Sequence, residues 1–271
     1  MNEVIVNNFG LTTIPFQKDI NINNLFTTEA YNEVFTRLLF ACKTQDFAIL
    51  TAPPGCGKST MVRRLAQALD SKKYQFIYIS DSKLTPRWLY NNMLEQLGLN
   101  GYLFRGDGKK VLHQQLKYLR EVHKKNIVCC VDESHLLSRE TIEETRFLLN
   151  NEMDSKSPLA LILIGQSELK QKLRSEKYLA VRQRVSFACE LPRLDEMQIK
   201  MYIAHHLKAV GYKEETLPFD DEALNRICDY SGGTLRLINK VCLQTMLYAA
   251  SQNKTTITGA IAKAIIDKEL F

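Results

Sequence analysis

The chain has 271 residues, 45% of them apolar and 24% charged, which is ordinary globular composition with material for a substantial core. No run of eighteen apolar residues and no basic-then-apolar leader occurs, so a cytoplasmic protein with no membrane partner is expected. Seven cysteines without C-x-x-C spacing exclude a disulfide framework and a zinc ribbon, and read as buried reduced thiols.

The formal net charge of +6 is unevenly placed. Residues 101–125 carry seven Lys/Arg against Asp107 and Glu121, and residues 168–184 carry six against Glu168 and Glu176. Each cluster reads either as a solvated helix face or as part of a site for a polyanion such as DNA.

Along the chain, the first thirty residues hold Phe9, Pro15, Phe16 and Phe26 in a loop-like context, expected as an extended arm packed on the core. Tyr31, Val34, Leu38 and Cys42 then follow a helical period. Five short apolar runs come next, each of buried-strand length: Phe47–Thr51, Phe76–Ser80, Ile127–Val131, Leu159–Ile164 and Val185–Leu191. Helical periods separate them: Val62, Leu65 and Leu69; Leu112, Leu116 and Leu119; Ile142, Thr145 and Leu149. This alternation predicts an α/β fold with a parallel five-stranded sheet flanked by helices. After Pro192 the strands stop, and helices are predicted near 195–210, 220–230, 234–251 and 258–269, with Asp220 as an N-cap and Gly232-Gly233 as a break. The predicted division is an ATP-binding core with its arm over 1–191 and a small all-α lid over 192–271.

Ala52-Pro53-Pro54-Gly55-Cys56-Gly57-Lys58-Ser59 follows the first strand and opens a helix, the context a phosphate loop requires. Gly55 and Gly57 let successive N–H groups turn inward onto phosphate oxygens, with Pro54, Cys56 and Thr60 completing the cradle. Lys58 suits the β- and γ-phosphates, and the Ser59 hydroxyl suits Mg²⁺. Ala52 stands where the pattern has its first glycine.

The strand Ile127–Val131 runs into Asp132 and Glu133. An Asp at a strand tip beside a phosphate loop can hold the Mg²⁺ hydration shell, and the next Glu can polarise the attacking water. His135 reads equally as a polar coupler or as a structural histidine. Gln166 ends the fourth run, where a strand inserted between the two motif strands brings it near the γ-phosphate. Arg182 and Arg184 precede the last strand, where an arginine can reach a neighbouring subunit's ATP. Arg236 opens a lid helix.

In this order these motifs resemble the AAA+ ATPases, and more closely the ExeA-like and TniB/TnsC-like ATPases. The resemblance rests on D-E-S-H at 132–135, L-I-L-I-G-Q-S-E-L at 161–169, R-Q-R-V at 182–185, Y-I-A-H-H-L-K-A-V-G at 202–211 and S-G-G-T-L-R-L-I-N at 231–239, with F-G-L and P-F in the arm. It covers nearly the whole chain. It implies Lys58 and Ser59 for ATP–Mg²⁺, Asp132 for the metal and Glu133 for water activation. It further implies Gln166 and Arg236 as first and second sensors, and Arg184, or else Arg182, as the finger. Secretion-type members continue into a membrane span and a periplasmic region; neither occurs up to Phe271, so the transposon branch is expected. Such ATPases form rings or filaments of like subunits around duplex DNA and recruit the transposase of the same element. Lys83 and Arg87, on a loop read as 80–87, and Lys109 and Lys110 are the expected phosphate contacts. The alternative is a secretion-associated assembly ATPase acting on protein partners.

Overall fold

The computed structural model describes residues 2–17, 20–81, 84–150 and 157–269. Five parallel strands form one sheet: β1 Phe47–Thr51, β2 Tyr74–Ile79, β3 Asn126–Val131, β4 Ala160–Gly165 and β5 Phe187–Glu190, in the order β2-β3-β4-β1-β5. Every residue of β1 and β4 is buried, as continuous apolar runs in a sheet covered on both faces require. The insertion of β4 between β3 and β1 matches the sequence reading. Thr51 pairs with Gly165 and Val131 with Leu163, so the loops leaving β1, β3 and β4 emerge along one edge. Open α/β sheets bind ligands at that carboxyl edge.

Two compact units divide the chain. One comprises Ala30–Pro53 and Gly57–Leu191; the other comprises Met1–Glu29, Pro54–Cys56 and Pro192–Phe271. The helices bury apolar stripes in one unit or the other. In the α/β unit lie α2 Glu29–Thr44, α3 Lys58–Ala68, α4 Pro86–Gln96, α5 Arg105–Glu121, α6 Arg139–Leu149, α7 Ser167–Arg174 and the short α8 Leu179–Arg182; α1 Asn2–Asn8 belongs to the other unit. Leu38, Leu65, Leu112, Leu116 and Ile142 are among the residues these helices bury. Thr85 caps α4 by accepting from the Trp88 N–H, and Pro86 takes its first position. That Thr-Pro start corrects the reading of 80–87 as a loop: Arg87 lies on the first turn of α4. Ser82 and Lys83 lie outside the described residues.

The helical unit contains α9 Glu196–Ala209, α10 Asp221–Ser231, α11 Leu235–Ser251 and α12 Gly259–Glu269. Asp195 and Gln198 form a reciprocal capping box on α9, and Asp220 caps α10 through the Ala223 N–H. Gly232 and Gly233 have φ of +49° and +78°. A Cβ on Gly233 would lie 2.1 Å from the Leu194 carbonyl oxygen, so both conformation and space demand glycine there.

The N-terminal arm departs from expectation. It begins as a helix, α1, and Ile5, Phe9, Leu11 and Phe16 belong to the apolar cluster of α9–α12 rather than to the sheet's core. The Thr12 N–H donates to the Val210 carbonyl (2.8 Å), and Asn8 Nδ2 to the Lys254 carbonyl (2.8 Å). The physical reason is that their apolar side chains complete the cluster formed by α9–α12. No described helix is long and apolar enough to cross a membrane. All seven cysteines are buried and unbridged.

Candidate functional site

β1 ends at Thr51, and the chain then bends through two glycines in the left-handed region, Gly55 at φ +79° and Gly57 at φ +91°. Gly57 is the N-cap of α3 and supplies no side-chain acceptor, so the first amides of that helix face outward with its positive dipole end. Ala52 has no positive φ, which is why a methyl group is tolerated where the pattern has glycine. The Lys58 side chain folds back over the loop, its Nζ donating to the carbonyls of Ala52 (3.0 Å) and Pro53 (3.3 Å), and the residue is only 9% exposed. A sequestered ammonium beside outward amides fits a polyphosphate. Ser59 is exposed at the first turn of α3. In the helical unit, the Arg236 N–H donates to the Gly55 carbonyl (3.1 Å). A Cβ on Gly55 would approach Arg236 Cβ to 2.8 Å and Thr234 Cγ2 to 2.9 Å, so glycine is required here too.

Two places along the sheet edge, β3 delivers Asp132. Its carboxylate is buried and accepts two hydrogen bonds, from the Tyr78 hydroxyl to Oδ2 (2.6 Å) and from the Glu133 N–H to Oδ1 (2.8 Å). Burial, then the bond to Asp132, raises the Tyr78 pKa well above its ordinary value, so the phenol stays a donor. Glu133 takes φ +51°, a left-handed conformation that costs a non-glycine residue about 1 kcal/mol. Its side chain is 41% exposed, with Oε2 lying 3.7 Å from His135 Nε2. Asp132 and Ser59 are oxygen donors of the kind that suits Mg²⁺.

Gln166 follows β4 as the N-cap of α7, half-buried, between the tips of β1 and β3. Its N–H approaches His135 Nδ1 at 3.5 Å. His135 therefore lies between Glu133 and the Gln166 backbone.

The arginines before β5 are bonded inside the chain. Arg182 Nη1 donates to the Leu173 (3.3 Å) and Arg174 (2.5 Å) carbonyls at the end of α7, and Arg184 Nη1 to the Arg146 carbonyl (3.0 Å). Of the expected DNA contacts, Lys110 is exposed, and Arg87 lies over the Trp88 ring with its Nη1 3.4 Å from the Leu103 carbonyl. Lys109 is half-buried, its ammonium pairing with the buried Glu144 (2.9 Å), which also accepts from Tyr90, so it takes part in a brace between α4, α5 and α6. Two residues not singled out in the sequence also touch the site: Tyr78, and Lys172 beneath the acidic turn.

Residues 41–173 match the AAA domain family. The chain is 29% identical over 253 residues to General secretion pathway protein A of Aeromonas hydrophila, an alignment covering 92% of this chain and 45% of that protein. The chain thus spans less than half the length of this relative. Among solved structures, Cdc6p of Pyrobaculum aerophilum superposes with a TM-score of 0.70 at 16% identity, covering 89% of this chain and 67% of that one. Aeropyrum pernix ORC1 in complex with DNA gives 0.70 at 13% identity, covering 93% and 68%. At such identities these structures establish the fold.

Proposed function

We propose that this chain, a P-loop ATPase of the AAA+ class carrying an AAA domain over residues 41–173, assembles on duplex DNA in its ATP-bound form and serves transposition by recruiting a transposase. The observation that carries the nucleotide chemistry is the sheet order, which brings the glycine loop after β1, Asp132-Glu133 after β3 and Gln166 after β4 to one edge.

In this reading Pro54–Thr60 cradle the phosphates, and Lys58 turns from the Ala52 and Pro53 carbonyls to the β- and γ-oxygens. Ser59 and Asp132 hold Mg²⁺, which supplies charge neutralisation at the phosphates when bound. Glu133 takes the proton of the attacking water, and Gln166 orients that water. Arg236 acts as second sensor. One of Arg182 and Arg184 leaves its backbone carbonyl to reach a neighbouring copy's nucleotide, so hydrolysis waits for assembly.

DNA binding rests on Arg87 and Lys110, and on the fold shared with the DNA-bound ORC1 structure. A second reading, an assembly ATPase acting on protein partners, is favoured by the similarity to the secretion protein of Aeromonas hydrophila. Sedimentation with duplex DNA and a slowly hydrolysed ATP analogue separates the two. Nucleotide-dependent assembly on DNA that weakens steeply with salt supports the first. Assembly indifferent to DNA supports the second and removes the transposition reading.

A further inference from the structure

Lys172 belongs to the basic run 168–184, yet it is only half-exposed and its ammonium is turned onto the chain's own backbone. It sits on α7, the helix that begins immediately after Gln166, and its Nζ donates to the carbonyls of His135 (3.0 Å) and Leu137 (2.6 Å). These carbonyls close the single 3₁₀ turn Ser134–Leu136, whose N-cap is Glu133 in its left-handed conformation. A turn of this kind leaves carbonyls pointing away at its end, and an ammonium there satisfies them with charge-assisted bonds. Burial, followed by the nearby Lys177, lowers the Lys172 pKa, in keeping with an ammonium drawn out of water.

The rest of α7 holds the same turn. Its first amide neighbour, the Gln166 N–H, approaches the His135 ring, and a Cβ on Gly165 would lie 3.1 Å from the His135 backbone nitrogen. Leu169 and Leu173, three residues before and one after Lys172 on α7, are buried in the same apolar cluster as Leu137. Within the turn, Ser134 Oγ donates to the Val131 carbonyl (2.7 Å) and the Leu136 N–H to the Glu133 carbonyl (2.9 Å). The Glu133 backbone is therefore fixed from before by β3 and from behind by α7, and Lys172 is the charged fastening between them.

We propose that Lys172 is a positioning residue for ATP hydrolysis: by fastening the Ser134–Leu136 turn to α7 it keeps the Glu133 carboxylate at the sheet edge, in step with Gln166. The proposal rests on the reading of Glu133 as the base. Loss of the fastening lets the turn relax toward an ordinary backbone conformation and moves the carboxylate, while the phosphate loop on β1 and α3 is untouched. A displacement near 1 Å at a reacting group lowers turnover by roughly 100-fold.

The test compares Lys172→Met and Lys172→Arg with wild type in steady-state ATP turnover, in affinity for a fluorescent ATP analogue, and in thermal melting. Lys172→Met is expected to lower kcat by about 10- to 100-fold with KM and analogue affinity within about two-fold, and Lys172→Arg to recover much of the loss. A Lys172→Met variant that turns over within two-fold of wild type overturns the proposal. So does one whose kcat, affinity and melting temperature fall together, which marks a merely structural role. If Lys172→Met does not fold, Lys172→Gln, which keeps a donor, is read by the same criteria, and failure of both to fold also counts against it. Glu133→Gln in the same series separates the two layers: if it hydrolyses normally the base assignment fails, whereas a dead Glu133→Gln beside an active Lys172→Met defeats this inference alone.

Discussion

Tyr78 in β2 donates its phenolic hydrogen to Asp132 at the tip of β3, with 2.6 Å between hydroxyl and Oδ2. The bond fixes one oxygen of the carboxylate assigned to the metal while the Glu133 N–H fixes the other. A hydrogen bond to a charged group contributes about 1.5–3 kcal/mol, and the partial exposure of Tyr78 places it at the lower end. Tyr78→Phe is therefore expected to raise the Mg²⁺ concentration that half-saturates binding of a fluorescent ATP analogue by about 10-fold. An unchanged Mg²⁺ dependence would separate Tyr78 from the metal site.

Glu144 is the buried centre of a brace in which Tyr90, Lys109 and Arg105 surround one carboxylate. Burial acts to raise its pKa, but the bonds from Tyr90 and Lys109 and the charges of Lys109 and Arg105 outweigh it and hold the value below the usual range. Glu144→Gln keeps the shape and loses the charge, and is expected to lower unfolding stability by about 2 kcal/mol in urea denaturation. Lys109→Met should lose stability likewise while leaving duplex DNA affinity within two-fold. A large loss of DNA binding without loss of stability would return Lys109 to the DNA-contacting set.

His206 in the helical unit stacks on Phe16 and packs against Tyr202, and burial, then the neighbouring His205, pushes its pKa down to about 4. A folded-state pKa below the unfolded value means that the unfolded chain binds the proton more tightly. The contribution is present above pH 6.5 and declines as the pH falls toward about 4. Over that window stability should drop by about 3 kcal/mol, and His206→Phe should flatten the slope. Glu144 has the same sign but acts lower, below its ordinary value of 4.5. A His206→Phe profile as steep as wild type would contradict the assignment.

Gly233 combines φ +78° with a backbone oxygen 2.1 Å from where a Cβ would be built. Gly233→Ala is expected to destabilise the helical unit by more than about 2 kcal/mol, because the Leu194 backbone must move. A melting temperature equal to wild type would show that the Leu194 turn yields freely.

The strands and the nucleotide motifs were legible because both are local. Phe47–Thr51 is an unbroken apolar run of buried-strand length, and Gly55, Gly57 and Lys58 are held by the chain's own turn. The position of the strand that ends before Gln166, between β3 and β1, was legible because one strand insertion determines its neighbours. What escaped depends on partners distant in the sequence. Tyr78 meets Asp132 across 54 residues, and Lys172 meets Leu137 across 35. The basic run 168–184 read either as a solvated helix face or as part of a polyanion site, because the backbone carbonyls that Lys172 and Arg182 meet are not revealed by composition. Lys170 in turn pairs with Glu190 on β5. Phe9 and Phe16 announced an arm that packs, yet apolar character alone does not say on which surface.

The most direct test of the whole account is the rate of ATP hydrolysis by Glu133→Gln, measured beside its affinity for ATP–Mg²⁺. The arrangement of the glycine loop and the acidic strand tip predicts wild-type affinity with turnover reduced by at least about 100-fold, since a positioned general base contributes 10²–10⁴-fold. Turnover at the wild-type rate would contradict it.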